Sequence, residues 1–158
     1  SESFHTIPVA VVSDESTNAQ AFSTMIDQLS SDDKDAMLNV TYCDKEKAVK
    51  LLERKKIDGI FYASDDVTLS VNANASDSSI NQSILQVLLT QYDINKDLVV
   101  STLQEQPEKL QELTGSMYES IAPQDRRAFI RGLRNAISTG DRPSRSIIRI
   151  TYGKYWKK

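Results

Sequence analysis

Ile57-Asp58-Gly59-Ile60-Phe61-Tyr62-Ala63, Ser64-Asp65-Asp66, Val67-Thr68-Leu69-Ser70-Val71 is the stretch on which the fold turns. Two runs rich in β-branched and aromatic residues are separated by three polar ones. Three residues leave no room for a crossover, so the runs predict an antiparallel hairpin. Upstream, Ile7-Pro8-Val9-Ala10-Val11-Val12 is a nearly continuous apolar run that ends at Ser13-Asp14-Glu15, the signature of a strand buried on both faces. Thr17-Asn18-Ala19-Gln20 reads as a capping box, and Ala19, Phe22, Met25, Ile26 and Leu29 follow as one helical stripe. Leu38 to Tyr42 alternates as a second strand. Asp44 caps a helix with Ala48, Leu51 and Leu52 inward, which Lys55-Lys56 closes at its negative pole.

The order is therefore β-α-β-α-β-β, and two crossovers with a hairpin predict a small mixed α/β sheet ordered 2-1-3-4, flanked by helices. Downstream, Ser79-Ile80-Asn81-Gln82 offers another capping box, and Ile80, Ile84, Val87, Leu88 and Tyr92 line a strong helix. The pattern stays helical through Leu98–Leu103, Leu110–Tyr118 and Phe129–Ile137, with breaks at Pro107 and Pro123. Ile147, Ile148, Ile150 and Tyr152 suggest a late antiparallel strand. One domain over residues 1–158 follows, with an α/β core at 6–92, a helical insertion at 93–140, a return strand at 144–152 and a tail at 153–158.

Composition narrows the chemistry. The formal net charge of −3 argues against a general nucleic-acid binder. Cys43 is the only cysteine and His5 the only histidine, which removes an internal disulfide, most metal sites and every His-dependent nucleophile. Cys43, at a strand end, reads as a structural thiol. The five glycines never form G-x-G, and no phosphate-cradling loop occurs. The expectation is a domain with no catalytic residues and no cofactor.

Two clusters stand out. Asp14 and Glu15 follow the first strand and Asp65 and Asp66 the third, so parallel pairing of those strands would bring four carboxylates to one end of the sheet. They read either as solvated loop groups that cap helices or as oxygen ligands for a divalent ion. A phosphoacceptor receiver domain also places acids after strands one and three, but a receiver continues into a helix where this chain continues into a strand. The second cluster is basic. Residues 1–122 carry nine Lys/Arg against twenty Asp/Glu, whereas residues 123–158 carry ten against two. Arg126, Arg127, Arg131 and Arg134 flank Phe129, Ile130, Leu133 and Ile137, either as an amphipathic core helix or as a basic surface. The end, Lys154-Tyr155-Trp156-Lys157-Lys158, mixes aromatics with lysines as the headgroup layer of a bilayer accommodates them, and reads as membrane-proximal.

Ile7 to Asp14 opening a domain, then Lys56-Ile57-Asp58-Gly59-Ile60-Phe61, then Ile80-Asn81-Gln82-Ser83-Ile84-Leu85, in this order and spacing, resemble the extracytoplasmic region of ABC-2 type exporter permeases. The resemblance covers roughly residues 6–92. It implies a soluble domain on the extracytoplasmic face of the cell membrane, placed between a first transmembrane helix and the remaining ones of the same permease. It also implies a separate cytoplasmic ABC ATPase subunit that drives efflux, a second permease copy, and contact with lipid headgroups. The domain's part would be structural, gating, or contact with a partner or substrate. If both ends attach to membrane helices, the last strand should run antiparallel to the first, and the acidic end of the sheet should point away from the bilayer. The readings from other classes are a cytoplasmic receiver-like signalling domain and a ligand-sensing domain, each using the cluster at Asp14 and Asp65.

Overall fold

The computed structural model of the chain describes residues 6–30, 36–72, 79–118 and 147–151. Its elements are β1 (Ile7–Ser13), α1 (Thr17–Leu29), β2 (Leu38–Tyr42), α2 (Lys45–Glu53), β3 (Gly59–Ala63), β4 (Val67–Asn72), α3 (Ser79–Glu105), a 3-10 turn (Pro107–Lys109), α4 (Leu110–Met117) and β5 (Ile147–Thr151). The sheet has the order β2-β1-β3-β4-β5. The mixed α/β architecture, the 2-1-3-4 order and the β3–β4 hairpin are as the sequence predicts. β1 pairs in parallel with β2 and β3, and β3 pairs antiparallel with β4.

Alternate residues of β1 feed two cores, which is why that run is apolar throughout. Val9 and Val11 face α1 and α3, together with Phe61 of β3 and Leu69 and Val71 of β4. Ala10 and Ile60 face α2 through Ala48 and Leu52. The first core is the larger. Its centre is Phe22 of α1, edge-on to Phe61 at 5.1 Å and to Tyr92 of α3 at 5.0 Å between centroids. All three rings are buried, and each fully buried large side chain is worth roughly 1.5–3 kcal/mol.

Several local readings shift by a residue or two. The cap of α1 is Ser16, which accepts from the Ala19 amide at 3.2 Å, so the cap falls one residue before the predicted box, and Gln20 bonds the Glu15 carbonyl instead of the cap. Asp44 caps α2 as predicted, accepting from the Lys47 amide at 2.8 Å. At the other end the Lys55 and Lys56 amides donate to the Leu52 and Leu51 carbonyls, a Schellman closure that puts Lys55 at φ 58°, where glycine is usual. β3 starts at Gly59 rather than Ile57, although Asp58 already donates its amide to the Pro8 carbonyl at 2.8 Å. The Gly59 position admits no side chain without movement, because a Cβ would lie 2.8 Å from Leu85 Cδ1 and 3.0 Å from Leu69 Cδ1.

α3 is continuous across residue 93. At about 1.5 Å per residue its 27 residues run roughly 40 Å. The Asn81 side chain bonds Asp58 near the start of β3, and Lys96 bonds the Asp65 carbonyl beyond its end. Residues 97–105 therefore continue past the sheet. Pro107 turns the chain, and α4 returns along α3 until the Tyr118 hydroxyl donates to the Leu88 carbonyl at 2.9 Å.

One expectation is corrected. β5 is antiparallel to β4, with Leu69 opposite Ile150, but β4 is itself antiparallel to β3. Two reversals make β5 run in the same direction as β1, not against it. The start of β1 and the end of β5 accordingly lie at opposite ends of the sheet.

Candidate functional site

The end of the sheet where β1 and β3 finish is where the sequence reading gathers its four carboxylates, and the fold brings them there. The Asp14 amide donates to the Ala63 carbonyl at 3.0 Å, which extends the β1–β3 ladder by one rung. Asp14 then acts as a turn group. Its Oδ1 accepts from the Ser16 amide at 2.9 Å and its Oδ2 from the Ser64 hydroxyl at 2.6 Å. The Ser64 bond first, then the Ser16 bonds, hold its carboxyl below the usual carboxylate range. Asp66 lies 3.7 Å from the Lys96 ammonium. Asp65 contributes its carbonyl, and Glu15 contributes its own to Gln20. All four residues are exposed. Among the described residues, no group of three or more His, Cys, Asp or Glu side chains is placed to hold a metal ion. The carboxylates share one end of the sheet without sharing a ligand position, because each is committed to its own turn or turned to solvent.

The groups that organise this end are ones the motif reading passes over. Asn18, in the first turn of α1, is buried. Its Nδ2 donates to the Ser64 carbonyl at 2.7 Å and to the Asp65 carbonyl at 3.0 Å, and its Oδ1 accepts from the Tyr92 hydroxyl. One carboxamide thus joins α1, the β3–β4 turn and α3. Lys96, one helical turn beyond Tyr92, adds a 2.8 Å bond to the Asp65 carbonyl. A signal for both was present. Asn18 stands four residues before Phe22 on the buried stripe of α1, and Lys96 is the only cation on α3. A carboxamide on an apolar stripe, or a lone ammonium one turn past a core tyrosine, marks where a helix passes chain ends.

Asp93 adjoins this node and is half-buried. Burial pushes its carboxyl from 3.8 up to about 6, with Asp66 raising it further and Lys96 opposing. Burial likewise raises the Tyr92 hydroxyl, which stays a neutral donor. The node is thus a set of donors matched to carbonyls, with one carboxylate that keeps its proton to a higher pH than usual. It has the composition of a structural clasp. Arg126, Arg127, Arg131 and Arg134, and Lys154 to Lys158, lie outside the described residues. Comparison with protein-family models, with curated proteins and with solved structures finds no match.

Two predictions follow from this geometry. Asn18→Ala removes the side-chain donor of the Ser64 carbonyl and the Oδ1 acceptor of the Tyr92 hydroxyl, at about 1–3 kcal/mol for each group not rescued by water, while Lys96 still reaches the Asp65 carbonyl and the carbonyl of residue 18 still accepts from Tyr92 at 3.3 Å. Urea unfolding should show a loss of about 2–4 kcal/mol, and Asn18→Ala with Tyr92→Phe should lose less than the sum of the single variants. Additive losses would show that the two side chains are not coupled. For Asp93 the sign is reversed from the usual carboxylate. Its folded pKa is raised, so ionisation opposes folding above about pH 6, and the penalty fades as pH falls toward 4. After solvent screening at a half-buried site about 1 kcal/mol remains. Asp93→Asn should raise Tm by about 2–4 °C at pH 7.5 and leave it unchanged near pH 4, read from melts across that range.

Proposed function

We propose that this chain is the extracytoplasmic domain of an ABC-2 type exporter permease, with a structural, gating or partner-contact role in efflux that a separate ATPase subunit drives. The observation that carries the reading is how the three segments behind the resemblance interlock. The first ends in Asp14, whose carboxylate holds Ser64 just past β3. The second supplies Asp58 and Gly59. The third supplies Asn81, whose Nδ2 donates to Asp58 at 2.7 Å, and Leu85, which closes over Gly59. Segments far apart in the chain thus carry the residues that lock helix to sheet, as expected if they define one domain type. The receiver-like alternative has two observations against it. β3 turns directly into β4, and the Asp65 and Asp66 side chains stand on a hairpin tip rather than in an acidic pocket.

No described helix is long and apolar enough to cross a membrane. In this reading the start of β1 faces the bilayer and the acidic end faces outward. Because β5 runs with β1, it ends far from the bilayer, and the return falls to the chain after it. Seven extended residues reach at most about 25 Å, close to the roughly 23 Å of β1 at its ordinary rise. At that reach only Lys158 of the Lys154–Lys158 run returns to the level of the start of β1, since Lys154, three residues past Thr151, reaches at most about 11 Å.

The test is topology in intact cells. With Cys43→Ser removing the native thiol, a cysteine replacing the exposed Asp97 should react with a membrane-impermeant maleimide added from outside. Labelling that appears only after lysis would overturn the assignment. The tail has its own check. Vesicles containing anionic lipid should retain the domain better than neutral ones, with release at high salt. Replacement of Lys154, Trp156, Lys157 and Lys158 by serine should abolish retention, and undiminished retention would remove the tail from the membrane.

A further inference from the structure

Past the end of the sheet, α3 and the returning α4 enclose an open groove of about 490 Å³, lined among others by Leu98, Glu105, Lys109, Glu112 and Leu113. Its volume lies within the ordinary range for binding sites. Leu98 is 51 % exposed, and Ile94, one turn earlier on the same helix, is 59 % exposed, so the apolar strip continues outside the groove. The electrostatics are unbalanced. The last turn of α3 carries no basic residue, although a helix C-terminus is a negative pole that cations stabilise. Glu105 sits in that turn, and Glu112 faces the groove from α4. Among the described residues neither forms an ion pair, with Lys109 or otherwise. Local stability favours neither an acid at the negative pole nor Ile94 and Leu98 left open to water.

The geometry points to a docking groove for a cationic amphipathic helix from a partner peptide. Two helices packed side by side present the ridges and furrow into which a third helix seats. Apolar side chains at i and i+3 or i+4 of such a peptide would cover Leu98 and Leu113, while its lysines or arginines reach Glu105 and Glu112. This is helix-in-groove recognition with the charges complementary. The proposal rests on the groove alone and stands or falls independently of the permease reading.

The experiment is fluorescence anisotropy of a labelled 14-residue leucine–lysine peptide of helical periodicity, titrated with the full chain at low salt. Saturable binding should weaken at least tenfold in Glu105→Lys with Glu112→Lys, and also in Leu98→Ser. It should be unchanged in Glu46→Lys with Glu53→Lys on α2, across the sheet. Circular dichroism establishes that each variant is folded. Equal loss in the α2 control, equal binding of an oligolysine of the same charge, or no binding would each overturn the proposal. A concentration-dependent dimer that the Glu105 and Glu112 reversals dissolve would also overturn it, and would assign the groove to a second copy.

Discussion

Everything at the end of the sheet where β1 and β3 finish depends on one buried carboxamide. Asn18 must satisfy two carbonyls of the β3–β4 turn and one tyrosine hydroxyl, and no other described side chain there bonds both the turn and α3's core tyrosine. A polar group in that position is costly unless every partner is present, so the three elements are held in one relative placement. Directly beneath it, Phe22 contacts Phe61 and Tyr92 and supplies the apolar half of the same junction. Packing sets how close α1, β3 and α3 come, and Asn18 sets their register.

The acidic residues take on a different meaning in that light. In sequence, four carboxylates after two parallel strands read either as solvated loop groups that cap helices or as an ion site. In the fold, Asp14 is a turn group bonded to Ser64 and Ser16, and Asp66 balances Lys96. The carboxylate with the unusual environment is Asp93, which no strand-end motif contains. Its raised pKa comes from burial beside a like charge, a property of where α3 lies and not of the neighbouring letters.

Legibility followed the range of the interactions. The β3–β4 hairpin was readable because three residues permit no other connection, and β2 and α2 were readable from alternation and from the Asp44 cap. The cap of α1 was misplaced by one residue because Ser16 and Thr17 offer the same hydroxyl, and only backbone geometry chooses between them. The direction of β5 relative to β1 is not legible in the sequence, because attachment of both chain ends to one membrane does not fix it. Its direction depends on its partner, and beside β4 the antiparallel pairing turns it parallel to β1. The α3–α4 groove could not be read at all, since Leu98 and Leu113 become neighbours only after Pro107 reverses the chain.

By itself, the sequence determined what near-neighbour chemistry dictates: the order of elements, the buried faces and the tight hairpin. Tertiary structure alone decided which polar groups spend their bonding capacity inside the protein. It joined Asn18 to Tyr92 across 74 positions and Asp14 to Ser64 across 50. It also left Glu105 and Glu112 without an ion pair among the described residues. The physical reason is that hydrogen bonds and ion pairs act over a few ångströms. Their partners therefore exist only once packing has brought distant segments together.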